Sequence, residues 1–240
     1  MTVVAEQTLR ELKQEVLAAN LALVEAGLVV ETFGNASGIV REAGLVVIKP
    51  SGVPYDRLTA DQMVVVDLQG NPVEGDLRPS SDLPTHLELY RSFPTIGGVT
   101  HTHSLYATTW AQARMEIPCL GTTHADYFNG PVPLTDALTA AEIAEDYELN
   151  TGKVIVRRFQ ELDPDEFPGV LVAGHGPFTW GPSPRAAAKT AVVLESIARL
   201  AYLTRTLNPA AAPIRDELLQ KHFRRKHGPD AYYGQPGGRD

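Results

Sequence analysis

Leu28-Val29-Val30, Gly38-Ile39-Val40 and Leu45-Val46-Val47-Ile48 are three short, mostly β-branched runs, with Gly, Asn and Ser between them. Runs of this kind between turn formers predict strands joined by tight connections. Upstream the period is different. Leu9, Leu12, Val16, Leu17, Leu21 and Val24 recur every three to five residues, which predicts a helix over 6–26 with Gly27 as its C-cap. Downstream, strands are expected over 63–68, 98–103, 152–159 and 169–173, with a turn at Gly70-Asn71-Pro72. Helices are expected over 84–93, 105–113, 184–206 and 213–227, with a Gly/Pro-rich tail after them. Helices at both ends and strands mostly between them predict a single α/β domain with a central sheet spanning 1–240, without a linker of boundary composition. No Gly-x-Gly-x-x-Gly follows the first strand, so nothing supports a dinucleotide fold.

The bulk numbers narrow the function classes. A chain of 240 residues with 43% hydrophobic residues is long enough and apolar enough for one large buried core. The formal charge is -8, which disfavours nucleic acid as a partner. The one basic stretch, Lys221-His222-Phe223-Arg224-Arg225-Lys226, suits an anionic small molecule or a subunit contact better than DNA. A single cysteine, Cys119, permits no intramolecular disulfide. No apolar run approaches the roughly 20 residues that span a bilayer, and the N-terminus has no signal-peptide pattern. Expected is a cytoplasmic protein with neither membrane nor nucleic acid among its partners.

Thr100-His101-Thr102-His103 is the sharpest chemical feature. On a strand, positions i and i+2 share a face, so His101 and His103 would present two imidazoles side by side, suited to Zn2+, Mn2+ or a similar ion. The plain alternative is a pair of surface histidines. Gly174-His175-Gly176 closes the apolar run Val170-Leu171-Val172-Ala173 and offers a third imidazole where sheet proteins keep their sites. Three histidines with an open position make a catalytic metal site. Three further segments could receive an oxyanion: Gly34-Asn35-Ala36-Ser37-Gly38, Lys49-Pro50-Ser51-Gly52, and Pro79-Ser80-Ser81-Asp82 just ahead of a helix N-terminus, where backbone N–H groups and the helix dipole favour anions. Each alone is a weak signal, since Ser and Gly are ordinary turn residues and Ser81-Asp82 could merely cap the helix. Gly121-Thr122-Thr123-His124-Ala125-Asp126-Tyr127 puts several proton-transfer groups in one loop, with a solvated turn as the plain alternative.

With those residues in hand the chain resembles the class II aldolase/epimerase family, from about residue 9 to 235. The shared motifs include Phe33-Gly34-Asn35, Ile48-Lys49-Pro50-Ser51-Gly52-Val53, Pro79-Ser80-Ser81-Asp82, Pro84-Thr85-His86, His101-Thr102-His103-Ser104, the Gly121–Phe128 stretch, His175-Gly176-Pro177-Phe178, Arg225-Lys226-His227-Gly228 and Ala231-Tyr232-Tyr233-Gly234-Gln235. The resemblance implies a largely antiparallel central sheet flanked by helices. It implies one divalent ion per subunit, Zn2+ first with Mn2+ or Co2+ as alternatives, on His101, His103 and His175, with Asp82 as a weaker ligand. Asn35, Lys49, Ser51, Gly52, Ser80 and Ser81 would hold a substrate phosphate, and Thr122 and Glu148 would line the site. Asp126 and Tyr233 would be the acid/base pair. Tyr233, with His222 and Arg225, would reach in from a neighbouring subunit of a fourfold homotetramer, carried by or near a tail over about 228–240. Phe33 stands where Trp is expected.

Within the family the likeness is to members that invert C4 of L-ribulose 5-phosphate to give D-xylulose 5-phosphate. They break and remake C3–C4, with the phosphate expected to anchor the enediolate half while the aldehyde turns over. The alternative is a class II sugar-phosphate aldolase that releases dihydroxyacetone phosphate and an aldehyde. Such relatives usually carry Glu where Asp82 stands. Adducin-type head domains share the fold as non-catalytic assembly modules, but they lack the three histidines present here. Arabinose catabolism and ascorbate or xylulose routes to the same sugar phosphate all remain open.

Overall fold

The computed structural model describes residues 3–228 and 231–233, with side chains from residue 6 onward. Helix α1 (Val3–Glu25) buries Leu9, Leu12, Val16, Ala19 and Leu23 on one stripe and ends at Gly27, whose φ of 69° suits a residue without Cβ. The strands are β1 (Asn35–Val40), β2 (Leu45–Ile48), β3 (Val64–Asp67) and β4 (Pro72–Glu74). After α2 (Leu83–Ser92) come β5 (Gly98–His101), α3 (Leu105–Ala113), the short helices α4 (Thr122–Ala125) and α5 (Ala140–Ala144), and α6 (Tyr147–Arg158). Then follow β6 (Gly169–Leu171), β7 (Pro177–Gly181), the long α7 (Pro184–Leu207) and α8 (Asp216–Lys226).

The strands form one sheet in the order β4-β3-β2-β1-β5-β7-β6, and every neighbouring pair is antiparallel. Side-chain alternation sorts its residues to two faces. Val46, Ile48, Val64, Val66 and Val99 join the core under α2 and α6. Val47 and Val65 join the core under α1. Each fully buried side chain of this size contributes roughly 1.5–3 kcal/mol. Helix α7 lies beside α1, and Gly38 permits that close packing. A Cβ there would sit 2.6 Å from Leu12 and 2.7 Å from Pro184.

Three expectations need correction. Residues 28–30 form no strand; Leu28 instead plugs the end of α1, its N–H donating to the Leu23 carbonyl at 2.9 Å. Residues 152–159 lie mostly in helix α6, not in a strand. The strand expected to reach His103 ends at His101.

Candidate metal and substrate site

The register of β1 and β5 builds the floor of the site. Asn35 faces His101 and Ser37 faces Val99 across the ladder, and His101 faces Phe178 on β7. All point to the α2 side. His101 stacks on Phe178, ring centroids 4.2 Å apart at 18°. Its Nδ1 lies 2.9 Å from the Pro177 carbonyl oxygen. A carbonyl only accepts, so Nδ1 carries the proton and Nε2 presents its lone pair.

His103 lies just beyond the strand, yet its Nε2 comes within 3.0 Å of His101 Nε2. His175 sits in the turn between β6 and β7, where Gly174 has φ 75°. Gly176 allows the turn to press against the two histidines, since a Cβ there would be 2.8 Å from the Thr102 carbonyl. One ligand nitrogen from each of His101, His103 and His175 falls within 4.8 Å of the others. Burial, then the nearby His101 and His103, pushes the His175 imidazole down to about 3. His103 is lowered by burial and by His101. Both therefore stay neutral near pH 7, the form that binds metal. The three imidazoles, with the tautomer of His101 set by the Pro177 carbonyl, fit a borderline-soft divalent cation. Tyr147, at the start of α6, places its hydroxyl 3.2 Å from His175 Nδ1, leaving Nε2 for the centre of the cluster.

Asp82 precedes α2 without capping it by its side chain. Its Oδ2 accepts from Asn35 Nδ2 at 2.6 Å, and the same nitrogen reaches Ser80 Oγ at 3.0 Å. Burial pushes this carboxyl up, but the imidazoles of His101 and His86 and the Asn35 amide outweigh it and hold it below the usual range.

The three oxyanion-type segments do converge. A hollow of about 360 Å³ is lined by the three histidines and Asp82, and by Asn35, Lys49, Ser51, Gly52, Ser80 and Ser81; Phe33, Tyr147 and Glu148 complete its wall. Backbone bonds stitch the loops together, Ser80 N–H to the Lys49 carbonyl at 3.0 Å and Ser51 N–H to the Arg78 carbonyl at 2.9 Å. Lys49 is almost fully buried. Its ammonium meets the Pro50 carbonyl at 3.3 Å and lies 4.7 Å from the Tyr55 ring centroid. Among the described residues no carboxylate pairs with it. Burial lowers its pKa. A buried cation without a counter-charge is a receptor for an anion.

Thr122, Asp126, His222, Arg225 and Tyr233 do not line this hollow within the chain. They gather where α8 packs on α4 through Leu219, Ala125 and Cys119. Asp126 accepts from Arg225 Nε at 2.9 Å and Nη2 at 2.6 Å, and His222 Nδ1 lies 3.1 Å away. Lys226 Nζ stands 3.6 Å from the carboxylate and 4.5 and 4.6 Å from the Tyr233 and Tyr127 ring centroids. Burial pushes the Asp126 carboxyl up, but the Arg225 and His222 bonds and the Lys226 charge outweigh it, so it sits below the ordinary value. The Tyr233 N–H donates to the Arg225 carbonyl at 2.9 Å. The rest of the expected tail, residues 229–230 and 234–240, lies outside the described residues. Sequence reasoning missed Tyr147, and it gave Lys226 only as part of the basic stretch, without a place beside Asp126. Tyr147 was hidden by reading α6 as a strand that starts at Gly152.

The sequence profile described as the class II aldolase and adducin N-terminal domain matches residues 14–202. The L-ribulose-5-phosphate 4-epimerase UlaF of Salmonella paratyphi B is 57% identical over 227 residues, covering 95% of this chain and 100% of that protein. The protein of the same name from Salmonella typhi is 56% identical over the same extent. Among solved structures, an L-fuculose 1-phosphate aldolase superposes with a TM-score of 0.77 at 26% identity, covering 90% of this chain and 95% of that one. An L-fuculose 1-phosphate aldolase from Glaciozyma antarctica gives 0.77 at 15% identity, covering 96% and 87%; at that identity the likeness speaks for the fold alone.

Proposed function

Because the chain belongs to the class II aldolase and adducin N-terminal domain family, we propose that its hollow inverts C4 of a ketopentose 5-phosphate, interconverting L-ribulose 5-phosphate and D-xylulose 5-phosphate. The observation that carries this is the convergence of three imidazoles and three anion-receiving loops on one hollow, in a chain 57% identical to an L-ribulose-5-phosphate 4-epimerase. It is a 4-epimerase rather than an aldolase, and the shorter Asp82 in place of Glu agrees with that choice.

A C4–H next to a hydroxyl is not acidic, so direct deprotonation there is poor chemistry. Breaking C3–C4 avoids it. Counting atoms corrects one expectation. The phosphate is on C5, so cleavage leaves it on the two-carbon half, as glycolaldehyde phosphate, and the other half is the enediolate of dihydroxyacetone. The phosphate site therefore anchors the aldehyde half. Lys49, Asn35, Ser51, Gly52, Ser80 and Ser81 hold that phosphate, while the carbonyl end turns over and offers its other face. His101, His103 and His175, with Asp82 beside them, hold the divalent ion, Zn2+ first. When bound, it supplies Lewis-acid polarisation of the carbonyl and its adjacent hydroxyl, worth several kcal/mol.

Two proton-transfer groups are then needed, one for each epimer. Asp126 and Tyr233 fill those roles, and Asp126, held ionised by Arg225, starts in the accepting state. Neither lines the hollow of its own chain. We therefore place them, with His222, Arg225 and Thr122, at the hollow of a neighbouring subunit in a fourfold homotetramer, while Glu148 lines the hollow of its own chain. For Asp126 and Thr122 this goes further than the sequence expectation. No described helix is long and apolar enough to cross a membrane. Sugar phosphates do not diffuse through bilayers, which supports the cytoplasm as the place of action, in arabinose catabolism or another route to the same sugar.

The test is to incubate purified, Zn2+-loaded protein with L-ribulose 5-phosphate and follow D-xylulose 5-phosphate in a coupled assay, with and without chelator. Interconversion that chelator abolishes is expected. Release of glycolaldehyde phosphate as the main product would favour an aldolase, and no turnover with any divalent ion would overturn the reading.

A further inference from the structure

Beneath the metal hollow, β1 and α2 are joined by two rungs. In the upper rung Asn35 holds the Asp82 carboxylate, Nδ2 to Oδ2 at 2.6 Å. In the lower rung Ser37 Oγ meets His86 Nδ1 at 2.7 Å. Asn35 and Ser37 share a strand face, and Asp82 and His86 lie one helical turn apart, the His86 N–H donating to the Asp82 carbonyl at 3.1 Å. His86 is fully buried, and its Nε2 has no hydrogen-bond partner. An unpaired buried ring nitrogen costs stability, so its retention calls for a use.

The string behind it assigns the proton. Tyr90 OH lies 2.8 Å from Ser37 Oγ, which among the described hydrogen bonds is the acceptor that hydroxyl reaches. Tyr90 then donates to Ser37, Ser37 donates to His86 Nδ1, and the His86 proton resides on Nε2. Asp82, one helical turn before His86, carries the carboxylate next to it along α2. Among the described buried side chains Asn35 Oδ1 and Thr108 Oγ1 are also unpaired, but a neutral oxygen competes weakly with a carboxylate.

We propose that His86 is a positioning residue, whose Nε2–H, aimed by Ser37 and Tyr90, orients the Asp82 carboxylate toward the metal hollow in the loaded enzyme. Held from below by His86 and from the side by Asn35, Asp82 would present its remaining lone pairs in one direction. His86 itself touches neither substrate nor metal. This role presupposes the epimerase reading above.

The test is a double-mutant cycle on the full-length protein, His86→Leu against Asp82→Asn, read in two ways. The first reading is Co2+ affinity with its absorption spectrum, which needs no turnover. The second is kcat and KM for L-ribulose 5-phosphate at saturating metal. His86→Leu alone should lower Co2+ affinity and kcat by roughly 10- to 100-fold, the range of a hydrogen bond to a charged group, with KM changed less than kcat. Adding it to Asp82→Asn should cost no more than about twofold further. His86→Gln, which keeps a donor, should recover most of the loss. Multiplicative losses in the double variant, or unchanged affinity and kcat in His86→Leu, would overturn the role. If His86→Leu does not fold, Tyr90→Phe is carried through the same cycle and judged by the same two outcomes. If the unsubstituted protein binds Co2+ but does not epimerise, the functional reading has failed, and the affinity cycle still decides the His86–Asp82 link.

Discussion

Arg225 grips the Asp126 carboxylate with two nitrogens, at 2.9 and 2.6 Å, across 99 residues of sequence. A bidentate pair of this kind favours the ionised acid and fixes its direction. Replacing Arg225 with Met removes the strongest force that lowers the Asp126 pKa, so that pKa rises. If the ionised form accepts the substrate proton, the acid limb of the kcat/KM profile must move to higher pH, and kcat/KM should fall by at least about tenfold. A pH–rate profile of the variant checks this. An unmoved limb at undiminished rate would remove Asp126 from the chemistry.

The separation of that cluster from the hollow leads to a complementation result. Subunits carrying Tyr233→Phe and subunits carrying His101→Ala should each be inactive alone. Mixed oligomers should regain activity up to about one quarter at equal ratio, because each site draws its two halves from different chains. Mass measurement confirms mixing. Confirmed mixed oligomers with no recovery at any ratio would place Tyr233 in its own chain's site.

Lys49 is a buried ammonium at the hollow, and among the described residues no carboxylate pairs with it. Lys49→Met should raise KM for the sugar phosphate by roughly 10- to 100-fold, the loss of one charge-assisted contact, and weaken competitive inhibition by inorganic phosphate in parallel. Metal stoichiometry should not change. A KM within about twofold of the parent would take Lys49 out of the phosphate site.

His124, away from the hollow, gives a stability prediction. Its Nε2 donates to the Gly130 carbonyl at 2.8 Å, and burial pushes its pKa down to about 4. The unfolded chain takes up this proton as pH falls below about 6.5, while the folded chain refuses it until about 4. Stability is therefore lost as pH falls through that window, by roughly 3 kcal/mol at most from this residue. In chelator, so that metal release does not contribute, the drop in unfolding free energy between pH 7.5 and 5 should be smaller in His124→Gln by about 2 kcal/mol. Equal drops in the two proteins would show that this imidazole is not the source.

What the sequence disclosed follows from locality. The helices at 3–25 and 184–207 and the strands at 45–48 and 64–67 have a clear period and plain boundaries, so they could be read. His101 and His103 were legible because two residues of extended chain bring side chains to one face, and the strand's early end at His101 did not spoil that. Residues 152–159 misled because Val154-Ile155-Val156 is β-branched. Ile155 is buried in the core shared with α2, with Val156 packed against it and Val154 buried too, and that burial outweighs the small helix penalty of such residues. Gly152 looked like a turn, but it is where α6 closes on α2, a Cβ there lying 2.7 Å from Glu88. The partners of Asp126 lie about a hundred residues away, and no local pattern announces such a contact. The phosphate loops looked like ordinary turns one by one, and only the antiparallel ladder joins them.

The most direct test of the chemistry is proton NMR of the reaction run in D2O with L-ribulose 5-phosphate and the metal-loaded protein. If C4 is inverted by breaking and remaking C3–C4, D-xylulose 5-phosphate must form with its C4 hydrogen still protium, because no C–H bond at C4 is broken. Deuterium at C4 of the product, or no D-xylulose 5-phosphate at all, would contradict it.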